Sequence, residues 1–177
     1  MTPSTYLSLL LTISMIFISH AISPTSSPNL YKSVCKETNK QDPHYEQPCL
    51  KLLEPYPQIT SAKDYLTFSR LFLRIVAIEN ATKAQHQVKE MKKKYPSSQT
   101  IKGCALNYDK VVDELQIALD EYSETISLDV AYASDALEEC EHSLVNEKIV
   151  NTSSLSTLNS EMRFIIAIIS FASDHLQ

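Results

Sequence analysis

Apolar residues recur along this chain at alternating intervals of three and four, in four separate stretches, which is the signature of amphipathic helices. The first stretch is helical from Asp64 to about Lys94, with Phe68, Leu71, Ile75 and Ile78 followed by Ala84, Val88 and Met91. A capping-box pattern, Ser61-Ala62-Lys63-Asp64, precedes it, and Pro96 ends it. The second seam is Cys104, Tyr108, Val111, Leu115, Ala118 and Tyr122. The third is Ile126, Val130, Ala133, Leu137, Cys140 and Leu144, and the fourth is Leu155, Leu158, Met162, Ile165, Ile169 and Ala172. The links between seams are short, so neighbouring helices must run antiparallel. The pattern therefore predicts an all-α fold, an up-down-up-down four-helix bundle over about residues 61–175. The up-up-down-down bundles of helical cytokines need two long crossovers, for which this chain has no segment.

Ahead of the bundle lies a different pattern. Residues 7–19, LSLLLTISMIFIS, form an unbroken apolar run of signal-peptide length, shorter than the roughly 18–20 residues of a membrane span. Small residues at Ser19 and Ala21 place cleavage after Ala21, so residues 1–21 read as a leader and residues 22–177 as one secreted domain. The Ser/Thr/Pro-rich residues 23–28 read as an arm. A small helical hairpin follows over about residues 29–57, with a turn signal at Asp42-Pro43. Asn80-Ala81-Thr82 and Asn151-Thr152-Ser153 fit the N-glycosylation pattern, making Asn80 and Asn151 candidate acceptors in an exported chain.

Export changes the reading of the cysteines at 35, 49, 104 and 140: an even set in a secreted chain reads as two disulfides. Cys104 and Cys140 both sit on seams. The chain rises roughly 27 Å from Cys104 to Tyr122 and descends roughly 21 Å from Ile126 to Cys140, which brings the two to nearly one level. That geometry predicts Cys104–Cys140 and, by elimination, Cys35–Cys49.

Composition narrows the chemistry. With a net charge of −5 the chain has no electrostatic reason to seek nucleic acid, and no membrane association is expected once the leader is gone. The basic cluster Lys89 with Lys92, Lys93 and Lys94 falls at a helix C-terminus, where cations suit the dipole. A single glycine, Gly103, read as lying at the entry to the second bundle helix, leaves no phosphate-cradling loop. No nucleophile-elbow, zinc-protease or Cys-x-x-Cys motif occurs. His44, His86, His142 and His175 are scattered singly and expected on the surface. Glu139-Cys140-Glu141-His142 has the Glu-x-x-His spacing of di-metal bundles, but it has no second copy, and an inward Cys140 turns Glu139 and His142 away from the core. The carboxylate pairs Asp113/Glu114 and Asp120/Glu121 diverge around their helix and read as solvated faces. No enzyme activity, metal or cofactor is expected.

Four local motifs then stand in order: Ser33-Val34-Cys35; Pro48-Cys49-Leu50-Lys51-Leu52-Leu53; Gly103-Cys104-Ala105-Leu106-Asn107-Tyr108; and Glu139-Cys140-Glu141-His142-Ser143-Leu144. Together, and across the whole mature chain, they resemble the plant invertase and pectin methylesterase inhibitors. The long first interval between cysteines is most similar to the branch with plane-pollen allergens and invertase-inhibitor-like proteins. The resemblance implies a four-helix bundle with an N-terminal helical hairpin and disulfides joining first to second and third to fourth cysteine. It also implies an extracellular, apoplastic and monomeric inhibitor that blocks pectin methylesterase or acid invertase in a reversible one-to-one complex. The alternative is a non-inhibitory binding protein or pollen-allergen-like member on the same scaffold. In members that inhibit acid invertase, the turn between the third- and fourth-cysteine helices carries Pro-Lys-Phe. The corresponding turn here, Asp120 to Ile126, is acidic and has neither lysine nor phenylalanine; its tip, Ser123, Glu124 and Thr125, is the implied partner-binding segment.

Overall fold

The computed structural model describes residues 29–120, 123–145 and 153–176, and among these every regular element is a helix. The signal peptide, its cleavage point after Ala21, the arm, Tyr122 and Asn151 lie outside the described residues. The hairpin is α1 (Leu30–Thr38) and α2 (Glu46–Leu53), followed by a single turn, α3 (Pro57–Thr60). The first bundle helix is continuous but not uniform: α4 (Tyr65–Phe72), a π-helical segment (Leu73–Ala77), then α5 (Ile78–Lys94). The remaining three are α6 (Gln99–Asp120), α7 (Ile126–Val145) and α8 (Ser153–Ser173), which closes with a 3-10 turn (Asp174–Leu176).

The four long helices form a closed ring in chain order. The contact of α6 with α7 is the most extensive, and α8 returns to pack on α4. Cys104 near the start of α6 meets Cys140 near the end of α7, with Cα atoms 4.6 Å apart, so those helices are antiparallel as the short link requires. Tyr65 at the start of α4 stacks on His175 beyond α8, with ring centroids 4.1 Å apart, and closes the ring from the other side. The apolarity of α8 serves this packing. Ser153–Leu176 has the length and mean hydropathy of a membrane span, yet Leu155, Met162, Ile165, Ile166, Ile168 and Ile169 are all buried against other helices.

The second and third seams are buried as read, apart from the undescribed Tyr122. On the fourth, Leu158 is only half-buried, and its neighbour Asn159 lies inside instead. The first seam needs a larger correction. Phe68, Phe72, Leu73, Val76, Ala77, Ala81, Ala84 and Val88 face the core, whereas Leu71, Ile75 and Ile78 are only partly covered. Leu71 precedes the π segment and yields the inward place to Phe72, whereas Ile75 and Ile78 are turned aside by the π segment. Its i→i+5 bonds take an extra residue per turn, so an α-helical count carried through residues 73–77 drifts off the inward face.

The start of that helix is also corrected. Asp64, not Ser61, is the N-cap: its backbone is extended, and its carboxylate accepts from the Thr67 backbone N–H at 2.8 Å and the Thr67 hydroxyl at 2.9 Å. Ser61 ends α3 with a helical backbone, so it cannot adopt the N-cap geometry there. At the other end Tyr95 leaves helical geometry, as the residue before Pro96 must.

In the hairpin, Cys35 of α1 bonds to Cys49 within α2, with Cα atoms 5.4 Å apart. Asp42 holds the turn: its side chain accepts from the His44 N–H at 2.9 Å, and its carbonyl from the Tyr45 N–H at 3.0 Å. The hairpin is not detached from the bundle. Helix α1 packs along α8, Val34 and Leu53 join the common core, and the Tyr45 ring meets Phe164 edge-on at 5.0 Å.

Candidate partner-binding surface

The seam residues of α6 and α7 all point inward, so what remains on their outer face is the chemistry offered to solvent. On α7, Leu128, Tyr132, Asp135 and Glu139 recur at helical spacing and share one face; on α6, Lys110, Glu114 and Ile117 do the same. The antiparallel register set by Cys104–Cys140 brings these two stripes together. Lys110, Glu114, Tyr132, Asp135 and Glu139 line a shallow groove of about 380 Å³. Its lower part is charged, with Lys110 Nζ 3.9 Å from Glu139 Oε2. Nearer the α6–α7 turn the same helix faces carry exposed apolar side chains: Ile117 is 44%, Leu128 50% and Tyr132 50% exposed.

The turn lies at the end of this face. Ser123 and Thr125 are half-buried and Glu124 is exposed, and the Thr125 carbonyl accepts from the N–H groups of Leu128 and Asp129 to begin α7. The turn therefore presents the Glu124 carboxylate at its tip, with Ile117, Leu128 and Tyr132 exposed on the flanking helices. Exposed aromatic and aliphatic side chains rimmed by charge are the anatomy of a protein-docking surface. The off-seam positions of Ile117, Leu128 and Tyr132 carry this patch. An apolar residue off the inward stripe was the only signal in the sequence that could have found them.

Other candidate chemistry stays dispersed. His44, His86, His142 and His175 are exposed, as expected. Cys140 is fully buried, which turns Glu139 and His142 to solvent, and among the described residues no group of three His, Cys, Asp or Glu converges to hold a metal ion. A second cavity, of about 290 Å³, lies between the hairpin turn and α7 and α8, lined by Asp42, Tyr45, Ser134, Arg163 and Ser170 among others. Arg163 there is paired with Glu141 at 2.9 Å. Burial, followed by the Asp42 carboxylate, raises the Tyr45 phenol above its ordinary value. Asn80 sits within α5, half-buried, with its amide nitrogen donating to the Val76 carbonyl at 2.7 Å.

The described residues thus form a disulfide-stapled helical bundle with exposed apolar side chains near the α6–α7 turn. The sequence profile of the plant invertase/pectin methylesterase inhibitors matches residues 29–171, from the first hairpin helix into the last turn of α8, and the chain belongs to that family. Among curated proteins no sequence matches it.

Proposed function

We propose that the protein is a secreted inhibitor of a plant cell-wall carbohydrate enzyme, pectin methylesterase or acid invertase, acting through a reversible one-to-one complex. The observation that carries this reading is the family match over hairpin and bundle together, on a scaffold whose α6–α7 end offers an exposed apolar patch. The leader ends at Ala21, residues 22–177 form the inhibitory domain, and the mature protein works as an apoplastic monomer without cofactor. Asn80 and Asn151 are its glycan acceptors, Asn80 by modification before the helix engages its amide. The segment Ser123–Thr125 and the adjoining Leu128 and Tyr132 contact the enzyme.

The acidic tip argues against inserting this turn among catalytic carboxylates, since like charges there repel. Docking of the outer helix face across the substrate cleft fits the charge better, and pectin methylesterase is then the first target to assay. The same missing lysine and phenylalanine favour the second reading, a non-inhibitory binding protein on this scaffold. Titrating each enzyme with purified residues 22–177 at acidic pH separates them. Loss of activity that saturates near one equivalent supports inhibition, and full activity of both enzymes across several isoforms sinks it.

A further inference from the structure

The charge left over from the enzyme-facing surface is concentrated at the opposite end of the bundle. Lysines on the last turns of α5 were accounted for by the helix dipole, which favours cations at a C-terminus. Lys102 is not. It lies on α6 close to the N-terminus, the end at which the dipole opposes a cation. It faces the same groove as the α5 lysines. Tyr95 and Pro96 turn the chain so that the two helix ends form a trough of about 540 Å³, lined by His86, Lys89, Lys92, Lys93, Pro96 and Lys102, with Glu90 at its edge.

Part of this charge is already neutralised. Lys89 Nζ lies 2.8 Å from Asp109 and Lys93 Nζ 2.6 Å from Glu90. Lys92 and Lys102 have no ion-pair partner among the described residues, although the chain as a whole carries −5. A net-acidic protein that gathers lysines from two helices into one open trough is built to meet an anion longer than a single carboxylate. The ammonium groups are point charges, and no arginine lines the trough. Bidentate arginine forks are what phosphate recognition favours.

We infer that this trough binds a linear polyuronate, the carboxylate-bearing polymer that a pectin methylesterase leaves when it removes methyl esters. The polymer part of the inference rests on the proposed target; the basic trough does not. Several carboxylates on one chain displace counterions from several lysines at once, so binding weakens steeply with salt. Lys102 and Asp120 are separated along α6 by about 27 Å. Polymer and enzyme therefore occupy different ends of the molecule, and the inhibitor is retained where de-esterification has already occurred.

The test uses residues 22–177 and measures retention on immobilised polygalacturonate, on its fully methyl-esterified form and on double-stranded DNA, at low and at physiological salt. The wild type is retained on the de-esterified polymer alone, and salt releases it. The K92Q/K102Q variant, which disturbs no ion pair, loses on the order of tenfold in affinity. It keeps the melting temperature and any enzyme inhibition of the wild type. Equal binding of wild type and variant, equal binding of esterified and de-esterified polymer, tighter binding to DNA, or no retention at low salt each overturns the inference. Inhibition is assayed on the same samples. A chain that binds polymer but spares both enzymes overturns the inhibitor reading alone, and the converse result overturns only the trough.

Discussion

The Tyr108 hydroxyl donates to Asn159 Oδ1 at 2.9 Å, joining α6 to α8 across the buried centre of the bundle. Both residues are sealed from solvent, and the Asn159 amide nitrogen lies 3.6 Å from Cys140 Sγ, so this pair also abuts the inter-helix disulfide. Replacing Tyr108 by Phe removes the donor and leaves a buried carbonyl without one, which costs about 1–3 kcal/mol in urea unfolding. Burial, with a smaller contribution from Glu161, holds the Tyr108 phenol far above its ordinary value of 10.0. A raised folded-state value stabilises below the unfolded value and is lost as pH rises past it. The wild type therefore loses stability above about pH 10 more steeply than Y108F does. Parallel unfolding curves at alkaline pH would contradict the assignment.

At the N-cap of α4 the sign is reversed. The Thr67 backbone N–H, then its hydroxyl, holds the Asp64 carboxyl below its ordinary value of 3.8. A lowered folded-state value contributes stability above the unfolded value that disappears as pH falls through the folded one. D64A is expected to cost about 1 kcal/mol near neutral pH. The gap between variant and wild type closes in strong acid, as thermal melts across an acidic series will show.

Gly103 lies inside α6 rather than at its entry, and no glycine among the described residues has a positive φ. A Cβ added there meets nothing within 4 Å. G103A is thus expected to stabilise the protein by about 0.5–1 kcal/mol, because alanine loses less backbone entropy in a helix. A drop in melting temperature would mean that this position has a contact or conformation the structure does not contain.

The two disulfides differ in reach. Cys104–Cys140 spans a sequence separation of 36, and Cys35–Cys49 one of 14. Chain-entropy arguments assign about 4 kcal/mol to the first and about 3 to the second. Removing Cys104 and Cys140 together should loosen the α6–α7 pair, which carries the proposed docking face. Removing Cys35 and Cys49 should raise hydrogen exchange chiefly in α1 and α2. Equal effects on both regions would show that hairpin and bundle unfold as one unit.

Most of the scaffold was legible because burial imposes a period. The second and third seams, most of the fourth and the Cys104–Cys140 pair follow from positions such as Tyr108, Leu137 and Ile169, whose spacing alone puts them inside. The first seam was misread where the helix itself changes period: nothing in Leu73–Ala77 announces a π turn, and Ile75 looks as inward as Val76. Asn159 was missed because its burial depends on a partner two helices away. The working surface was least legible. Exposed residues obey no period, so Leu128 and Tyr132 gained meaning only once α6 and α7 were seen side by side, and Lys102 only once the trough placed it beside Lys92.

Inhibition of a cell-wall carbohydrate enzyme by the α6–α7 end of the bundle is the proposed function, and a stoichiometric activity titration with wild type and Y132A tests it. Tyr132 is half exposed and lies outside the hydrophobic core cluster, so the variant should melt with the wild type. A truncated aromatic anchor at a docking centre costs about 1–2 kcal/mol or more, at least a fivefold loss of inhibitory potency. Wild-type protein is expected to silence pectin methylesterase or acid invertase near one equivalent, and Y132A to do so more weakly. Full activity of both enzymes with excess wild type, or identical potency of the two proteins, would contradict it.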